Sequence, residues 1–228
     1  MPRQAPVADE EEVQLNVSEV TLAGSLALPP DATGIVLFAH GSGSGRHSPR
    51  NRFVASHLQE SGLATLLFDL LTEDEEGVDQ YTAHLRFDIG LLAERLVGAT
   101  DWLAQQPATA ELPVGYFGAS TGGGAALVAA ADRQDRVKAV VSRGGRPDLA
   151  RDSLPLVTAP TLLIVGGDDD VVIEMNESAL RRLGSKIKEL KIIPGASHLF
   201  EEPGKLEEVA HHAAAWFSRY LAGRAAGE

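Results

Sequence analysis

The sequence contains no cysteine among its 228 residues. Disulfide frameworks, thiolate zinc sites, iron–sulfur clusters and cysteine nucleophiles are therefore excluded. Long apolar runs are also missing, because no stretch approaches the roughly 18 consecutive apolar residues that a membrane-spanning helix needs. The first residues contain no apolar segment of the kind found in a secretory signal. These absences favour a cytoplasmic protein that does not enter a membrane.

Basic residues are scarce, because 20 Lys and Arg stand against 32 Asp and Glu, for a formal net charge of −12. Nonspecific nucleic-acid binding depends on a basic surface, so the sequence predicts no nucleic-acid partner. Neither G-x-x-x-x-G-K-[ST] nor G-x-G-x-x-G follows any apolar run, and no H-E-x-x-H spacing is present. The 7 histidines are scattered, and we expect neither a metal nor a cofactor.

Length and composition predict one domain. A chain of 228 residues of which 44% are hydrophobic can bury a full core without disulfides or metal. Residues 1–12 are polar and acidic and contain proline, so we expect them to be a disordered lead. Residues 13–228 are expected to form a single α/β domain.

Apolar and polar side chains alternate from residue 13 to residue 28, which predicts two short antiparallel strands. Short apolar runs then alternate with glycine-bearing turns and amphipathic helices, which predicts a mainly parallel sheet with helices on both faces. About twenty residues connect 141 to 161, too few for a lid domain. The predicted strands are 35–39, 64–68, 114–117, 137–141, 161–165 and 190–193, and the predicted helices are 51–61, 86–106, 121–131, 173–183 and 205–222.

The turn after the strand at 114–117 carries a nucleophile pattern, Gly118-Ala119-Ser120-Thr121-Gly122. Ligands of parallel sheets bind at the carboxyl ends of the strands. A serine on so tight a turn requires glycine two residues before and after it, since side chains there would collide with the turn. The N-terminus of the following helix favours developing negative charge. The alternative interpretation is a glycine-rich turn in which Ser120 only caps the helix.

A serine hydroxyl is a weak nucleophile unless a base accepts its proton, and the base needs an orienting acid. Three histidines follow Ser120 along the chain, namely His198, His211 and His212. His198 lies in the turn after the last predicted strand and is therefore the predicted base. His211 and His212 fall inside the final helix, where a solvated face explains them.

The predicted acid lies in the turn after the strand at 161–165, where three aspartates are adjacent. Asp169 is chosen because two glycines and one residue place it at the tip of this turn. Asp168 and Asp170 are expected to cap the following helix. Asp148, which follows the strand at 137–141, is the alternative acid.

An oxyanion hole needs two backbone N–H groups directed at the tetrahedral intermediate. The first is expected from Thr121, directly after the nucleophile, and the second from the turn after the strand at 35–39. Ser42 is the predicted donor in that turn, with Gly43 as the alternative. His40 precedes both and is expected to brace the turn by hydrogen bonding.

These turns together resemble the α/β-hydrolase superfamily, and the run lengths, the N-terminal strand pair and the absence of a lid are most similar to the dienelactone hydrolase family. The resemblance covers residues 13–222. It differs at the nucleophile, because typical dienelactone hydrolases carry cysteine where this chain has Ser120. The resemblance therefore implies a serine carboxylesterase without cofactor, in which Ser120 forms an acyl-enzyme, His198 transfers the proton and Asp169 holds His198.

Arginines in two turns give a clue to the substrate. Arg46, Arg143 and Arg146 are candidates for binding an anionic or strongly polar ester, since guanidinium groups bind carboxylate and phosphate well. The alternative is local pairing, for example with Asp148. The acidic segment 73–76 is interpreted as a solvated loop.

The predicted function is hydrolysis of small esters or lactones. Acyl transfer, thioester hydrolysis or peptide hydrolysis by the same three residues is the alternative within enzymes. A further alternative is a binding module that keeps the fold without turnover. The presence of Ser120, Asp169 and His198 together argues against the binding module.

Overall fold

The computed structural model describes residues 9–222, which form one sheet of eight strands with helices on both faces. The strands are β1 (Glu10–Val17), β2 (Val20–Ala27), β3 (Ile35–Ala39), β4 (Ala64–Phe68), β5 (Val114–Ala119), β6 (Val137–Arg143), β7 (Thr161–Gly166) and β8 (Lys188–Ile193). The α-helices are α1 (Pro49–Glu60), α2 (Glu73–Thr82), α3 (Ile89–Ala104), α4 (Thr121–Asp132), α5 (Asp170–Arg182) and α6 (Lys205–Leu221), and two 3₁₀ segments span Leu85–Phe87 and Pro147–Leu156.

The strand order is β1-β2-β4-β3-β5-β6-β7-β8. β1 pairs antiparallel with β2, β2 pairs antiparallel with β4, and the remaining neighbours are parallel. This is the α/β-hydrolase architecture, and it confirms the predicted fold class. The apolar runs at 35–39 and 64–68 coincide with β3 and β4, because both strands are buried along their full length.

The expected N-terminal lead is wrong in its last residues. Residues 1–8 lie outside the described part of the chain, but 10–12 belong to β1 and pair with Ala27, Leu26 and Ser25 of β2. The carboxylate of Glu12 accepts a hydrogen bond from the Ser25 hydroxyl at 2.9 Å. Three glutamates can occupy this strand because it is the edge of the sheet, where their side chains reach solvent.

The prediction of a loop at 73–76 is also wrong, since these residues form the first turn of α2. The Thr72 hydroxyl accepts a hydrogen bond from the Glu75 N–H at 3.2 Å, and the Glu75 carboxylate accepts one from the Thr72 N–H at 2.8 Å. This capping box and the acidic first turn both stabilise a helix N-terminus. Glu75 also pairs with Arg95 of α3 at 2.8 Å.

Two apolar layers enclose the sheet. One layer joins the sheet to α3, α4 and α5, and the other joins it to α1 and α6. β5 is buried along all of its length between these layers. Its carboxyl end, where the serine lies, is therefore supported by the interior of the protein. None of the helices within residues 9–222 has the length and apolar character needed to cross a bilayer.

Two glycines inside helices differ in the space around them. A Cβ added to Gly77 of α2 would meet no atom within 4 Å. A Cβ added to Gly98 of α3 would overlap the side chain of Val17, which is almost completely buried where α3 packs on β1. The same substitution should therefore have opposite effects at these two positions.

We expect Gly77→Ala to raise the free energy of unfolding by about 0.5–1 kcal/mol, since alanine loses less backbone entropy in a helix. Gly98→Ala should lower it by about 1–3 kcal/mol, because overpacking at Val17 outweighs that gain. Urea unfolding monitored by circular dichroism measures both values. Equal effects of the two substitutions would contradict the close packing of α3 on β1.

Candidate active site

Ser120 joins β5 to α4 in a backbone conformation that is unusual for a residue with a side chain. Its φ is 51° and its ψ is −121°, and positive φ is unfavourable for any residue except glycine. Hydrogen bonds hold this conformation: the Ser120 N–H donates to the Arg143 carbonyl at 3.3 Å, and the Ser120 carbonyl accepts from the N–H groups of Gly123 and Arg146 at 3.0 Å each. The turn is thus fixed by its neighbours on both sides.

The glycines of the G-x-S-x-G pattern are required by close backbone contacts. A Cβ on Gly118 would lie 2.5 Å from the Gly122 carbonyl oxygen, and a Cβ on Gly122 would overlap the Ala39 carbonyl oxygen at the end of β3. These contacts confirm the expectation that side chains at both positions would collide. The serine can therefore project from a turn that only glycine permits at these places.

The alternative interpretation of Ser120 as a side-chain cap is not supported. Ser120 stands at the N-cap position of α4, but its hydroxyl makes no capping hydrogen bond. The residue is half-buried, and it lies at the positive end of a helix of 12 residues. A hydroxyl in this position is available for reaction.

His198 and Asp169 come together although they are 29 residues apart. Asp169 lies in the turn between β7 and α5, and His198 lies in the turn after β8. The imidazole Nδ1 donates to Oδ2 of Asp169 at 2.6 Å. The Asp169 side chain is 17% exposed and that of His198 is 39% exposed, so the carboxylate is shielded while the imidazole faces solvent. Such a pair fixes the ring orientation and leaves Nε2 to accept a proton.

The alternative residues take other roles. The Asp148 carboxylate accepts two hydrogen bonds from the Arg146 guanidinium, at 2.7 and 2.8 Å. His211 and His212 lie on α6, with ring centroids 5.9 Å from each other. Asp168 is exposed. Among these candidates, Asp169 and His198 are the two that the structure pairs.

The turn after β6 contacts both Ser120 and His198. Gly144 follows Arg143, whose carbonyl holds the Ser120 N–H, and a Cβ on Gly144 would lie 3.5 Å from Cε1 of His198. The described residues show no hydrogen bond between the Ser120 hydroxyl and the imidazole. Hydrogen bonds of this type are often long without substrate and shorten in the reacting complex.

The turn after β3 reaches the nucleophile. A Cβ on Gly41 would lie 3.1 Å from the Cβ of Ser120. The Ser42 N–H donates to the Thr121 hydroxyl at 2.9 Å, so Ser42 would have to share this hydrogen with an oxyanion. Thr121 is the first residue of α4, so its N–H has no acceptor within the helix. The structure thus brings the two predicted donors together, and Gly43 remains the alternative to Ser42.

His40 braces this turn, in agreement with its expected role. Its Nε2 accepts a hydrogen bond from the Leu70 N–H at 3.0 Å, and its Nδ1 therefore donates to the Gly41 carbonyl at 3.0 Å. Burial lowers the pKa of His40, which keeps the ring neutral in this role. The imidazole links the turn after β3 to the end of β4.

Two of the three candidate arginines have carboxylate partners. Arg46 pairs with Asp69 and, at 3.5 Å, with Glu12. Arg146 pairs with Asp148, as the alternative interpretation of local pairing predicted. Arg143 is 6% exposed and forms no ion pair with any described residue. The three arginines, which the sequence alone could not rank, therefore differ in what they can bind.

A cavity of about 610 Å³ lies between the turn after β3 and α2. The interpretation of residues 73–76 as a loop does not predict this cavity, although the capping box of Thr72 and Glu75 indicates a helix. The cavity borders Ser42, and its lining includes the carboxylates of Asp69, Glu73, Glu76 and Asp79. No group of three or more His, Asp or Glu in residues 9–222 is placed to hold a metal ion.

Comparison with known proteins gives close relatives over nearly the whole chain. A dienelactone hydrolase from Anabaena variabilis is 66% identical, with a TM-score of 0.92, over 94% of this chain and 99% of that one. The esterase Est1E from Butyrivibrio proteoclasticus is 18% identical, with a TM-score of 0.76, over 91% of this chain and 98% of that one, and shows the shared fold.

Two Mycobacterium tuberculosis proteins, from strains CDC 1551 and H37Rv, are 60% identical over 218 residues and carry a provisional phosphoribosyl transferase name. The match covers 96% of this chain and 48% of each relative, so the chain spans about half their length. The family model "Dienelactone hydrolase family" matches residues 22–222. The chain therefore belongs to the dienelactone hydrolase family, whose members are hydrolases of the α/β-hydrolase fold.

Proposed function

We propose that this hydrolase cleaves small carboxylic esters or lactones through an acyl-enzyme on Ser120. One observation carries the proposal: the strained turn that presents Ser120 and the hydrogen-bonded pair of Asp169 and His198 lie at the same edge of the sheet. A nucleophile, a base and an orienting acid at one sheet edge are the parts that acyl transfer requires.

In the first half of the proposed reaction, the Ser120 hydroxyl oxygen forms a bond to the ester carbonyl carbon, and its proton passes to Nε2 of His198. The negative charge of the tetrahedral intermediate develops on the former carbonyl oxygen, near the Thr121 N–H and the positive end of α4. The bond to the alcohol oxygen then breaks, and the leaving alcohol takes the proton from His198. Asp169 stabilises the imidazolium during this exchange.

Water completes the reaction. The His198 imidazole accepts a proton from water while the water oxygen bonds to the acyl carbon, and the Ser120 oxygen leaves with that proton. The products are the free acid and the original hydroxyl. Because serine is a weaker nucleophile than cysteine at neutral pH, this chain depends on the base more than the typical cysteine members of the family do.

Reactions that use a different acyl acceptor or a different acyl donor are the second candidates for the function. The same acyl-enzyme would serve an acyltransferase, a thioesterase or a peptidase, and these differ in what attacks or leaves. The cavity beside Ser42, whose lining contains charged side chains of both signs, favours a hydrated group over a long apolar chain. The phosphoribosyl transferase name of the mycobacterial relatives belongs to proteins about twice as long, and a serine with a histidine base matches acyl chemistry better.

Ser120→Ala should abolish labelling by a fluorophosphonate probe and lower kcat for p-nitrophenyl acetate by about 10⁴- to 10⁶-fold, because the nucleophile is lost. Peptide mapping of the adduct and a colorimetric assay measure the two effects. Ser56→Ala on α1, whose hydroxyl bonds only the Phe53 carbonyl, is the control and should retain both. Turnover by Ser120→Ala at the wild-type rate would overturn the proposal, and so would wild type that turns over no ester.

Asp169→Asn should lower kcat by about 10⁴-fold, because an amide cannot hold the required tautomer of His198 or stabilise its charged form. Asp168→Asn is the matched control, since the neighbouring carboxylate is exposed and lies on the same turn. Steady-state kinetics on p-nitrophenyl acetate compare the two variants. A larger loss for Asp168→Asn than for Asp169→Asn would show that the acid is assigned wrongly.

A further inference from the structure

Arg143 is a buried cation beside the site. It is the last residue of β6, and its side chain lies on the same face of the sheet as Val141, against α1 and α6. The residue is 6% exposed. Its guanidinium lies 5.8 Å from the ring centroid of Phe200 and donates one long hydrogen bond of 3.5 Å to the Asn51 side chain.

This guanidinium is poorly satisfied by the protein itself. A guanidinium has five N–H donors, yet Nε of Arg143 is buried without a hydrogen-bond partner, and no described carboxylate pairs with the group. Burial, and then the nearby charge of Arg50, lower the pKa of Arg143 to about 10, so the group is still charged at neutral pH. Burying a charge without a partner is costly, which indicates that a negative group binds here at some stage.

Arg50 adds a second cation. It belongs to the first turn of α1, and its own Nε is buried without a partner. Its ion pair with Glu201, at 3.0 Å, is on the surface, where the Glu201 side chain is 62% exposed. Surface pairs of this kind contribute little, so Arg50 can exchange Glu201 for a ligand. The N-terminus of α1, a helix of 12 residues, adds partial positive charge.

Backbone contacts place these cations next to the reacting groups. The Arg143 carbonyl holds the Ser120 N–H at 3.3 Å, and the next residue, Gly144, packs against His198. Phe200, which lies under the guanidinium, is two residues after His198. The guanidinium is therefore attached to the backbone segment that holds Ser120, and it packs against the loop that carries His198.

We propose that Arg143, Arg50 and the first turn of α1 form a subsite that binds a phosphate group carried by the ester substrate. The inference rests on the proposed function and adds its substrate class, a carboxylic ester or lactone that bears a phosphate. Phosphate fits better than carboxylate for two reasons. Its charge of about −1.5 to −2 at neutral pH balances two guanidinium groups, and its three oxygens accept donors from different directions.

The test uses three p-nitrophenyl esters whose acyl chains have the same length. The far end of the acyl chain carries a phosphate in the first ester, a carboxylate in the second and a neutral methyl ether in the third. The measured quantity is kcat/KM of each charged ester divided by that of the neutral ester. Wild type should prefer the phosphate ester by about 10- to 100-fold. Arg143→Met and Arg50→Met should each remove most of this preference, whereas Arg146→Met should keep it because Asp148 already holds that guanidinium.

A binding measurement separates this proposal from the hydrolase proposal. Inorganic phosphate should raise the Tm of wild type and of Ser120→Ala, and should not raise the Tm of Arg143→Met. If wild type turned over no ester but phosphate still changed the Tm values in this way, the proposed function would be overturned and the phosphate subsite would stand. An unchanged preference ratio in Arg143→Met and Arg50→Met would overturn the subsite, and a carboxylate preference equal to that for phosphate would overturn the ligand assignment.

We expect Arg143→Met to fold, because an apolar side chain of similar length suits a buried position. If this variant does not fold, Arg50→Met decides the outcome, since Arg50 is partly exposed and its loss leaves the core unchanged.

Discussion

The site depends on the close approach of three backbone segments at the carboxyl edge of the sheet. The end of β3, the turn after β5 and the turn after β6 meet with so little space that a Cβ on Gly122 would overlap Ala39 and one on Gly123 would lie 3.0 Å from Gly145. This packing holds Ser120 at a positive φ that an isolated turn would avoid. The same contact brings the loop of Ser42 against Thr121. The positions of the proposed nucleophile and of the proposed oxyanion donors are thus consequences of one constraint.

Charge is distributed unevenly around this edge. The chain carries a formal net charge of −12, and four carboxylates line the cavity beside α2, of which Asp69 pairs with Arg46 and Asp79 pairs with Arg86. Arg143, at the end of β6, and Arg50, in the first turn of α1, are two neighbouring cations, of which Arg143 has no carboxylate partner among the described residues. In the proposed reaction, this arrangement would favour a substrate whose anionic end lies near Arg143.

Membership of the dienelactone hydrolase family accounts for the fold and supports the proposed hydrolysis, whereas the proposed serine nucleophile distinguishes this chain from typical members. A thiol can be activated by its pKa alone, but a serine hydroxyl requires a base that is correctly held. In the proposed reaction, the turn geometry by itself would not activate Ser120, and the hydrogen bond between His198 and Asp169, at 2.6 Å, would supply the held base.

The amino-acid sequence was enough to predict the sheet, its central strands and the positions of Ser120, Asp169 and His198, because apolar runs and glycine patterns are local signals. It did not predict α2, because the four consecutive acidic residues at its start are also typical of a solvated loop. It did not predict the strand at 10–12 either, because charged residues are unusual in a strand unless it lies at the edge of a sheet. It could not decide which arginine lacks a partner. Ion pairs such as Arg46 with Asp69 join residues from different turns, and Arg143 is buried beside Asn51 and Phe200, which are distant from it in the sequence. The sequence by itself determined the central strands, most helices and the candidate reactive residues, and the tertiary structure alone decided which charges are neutralised, because pairing depends on distances that only the folded chain sets.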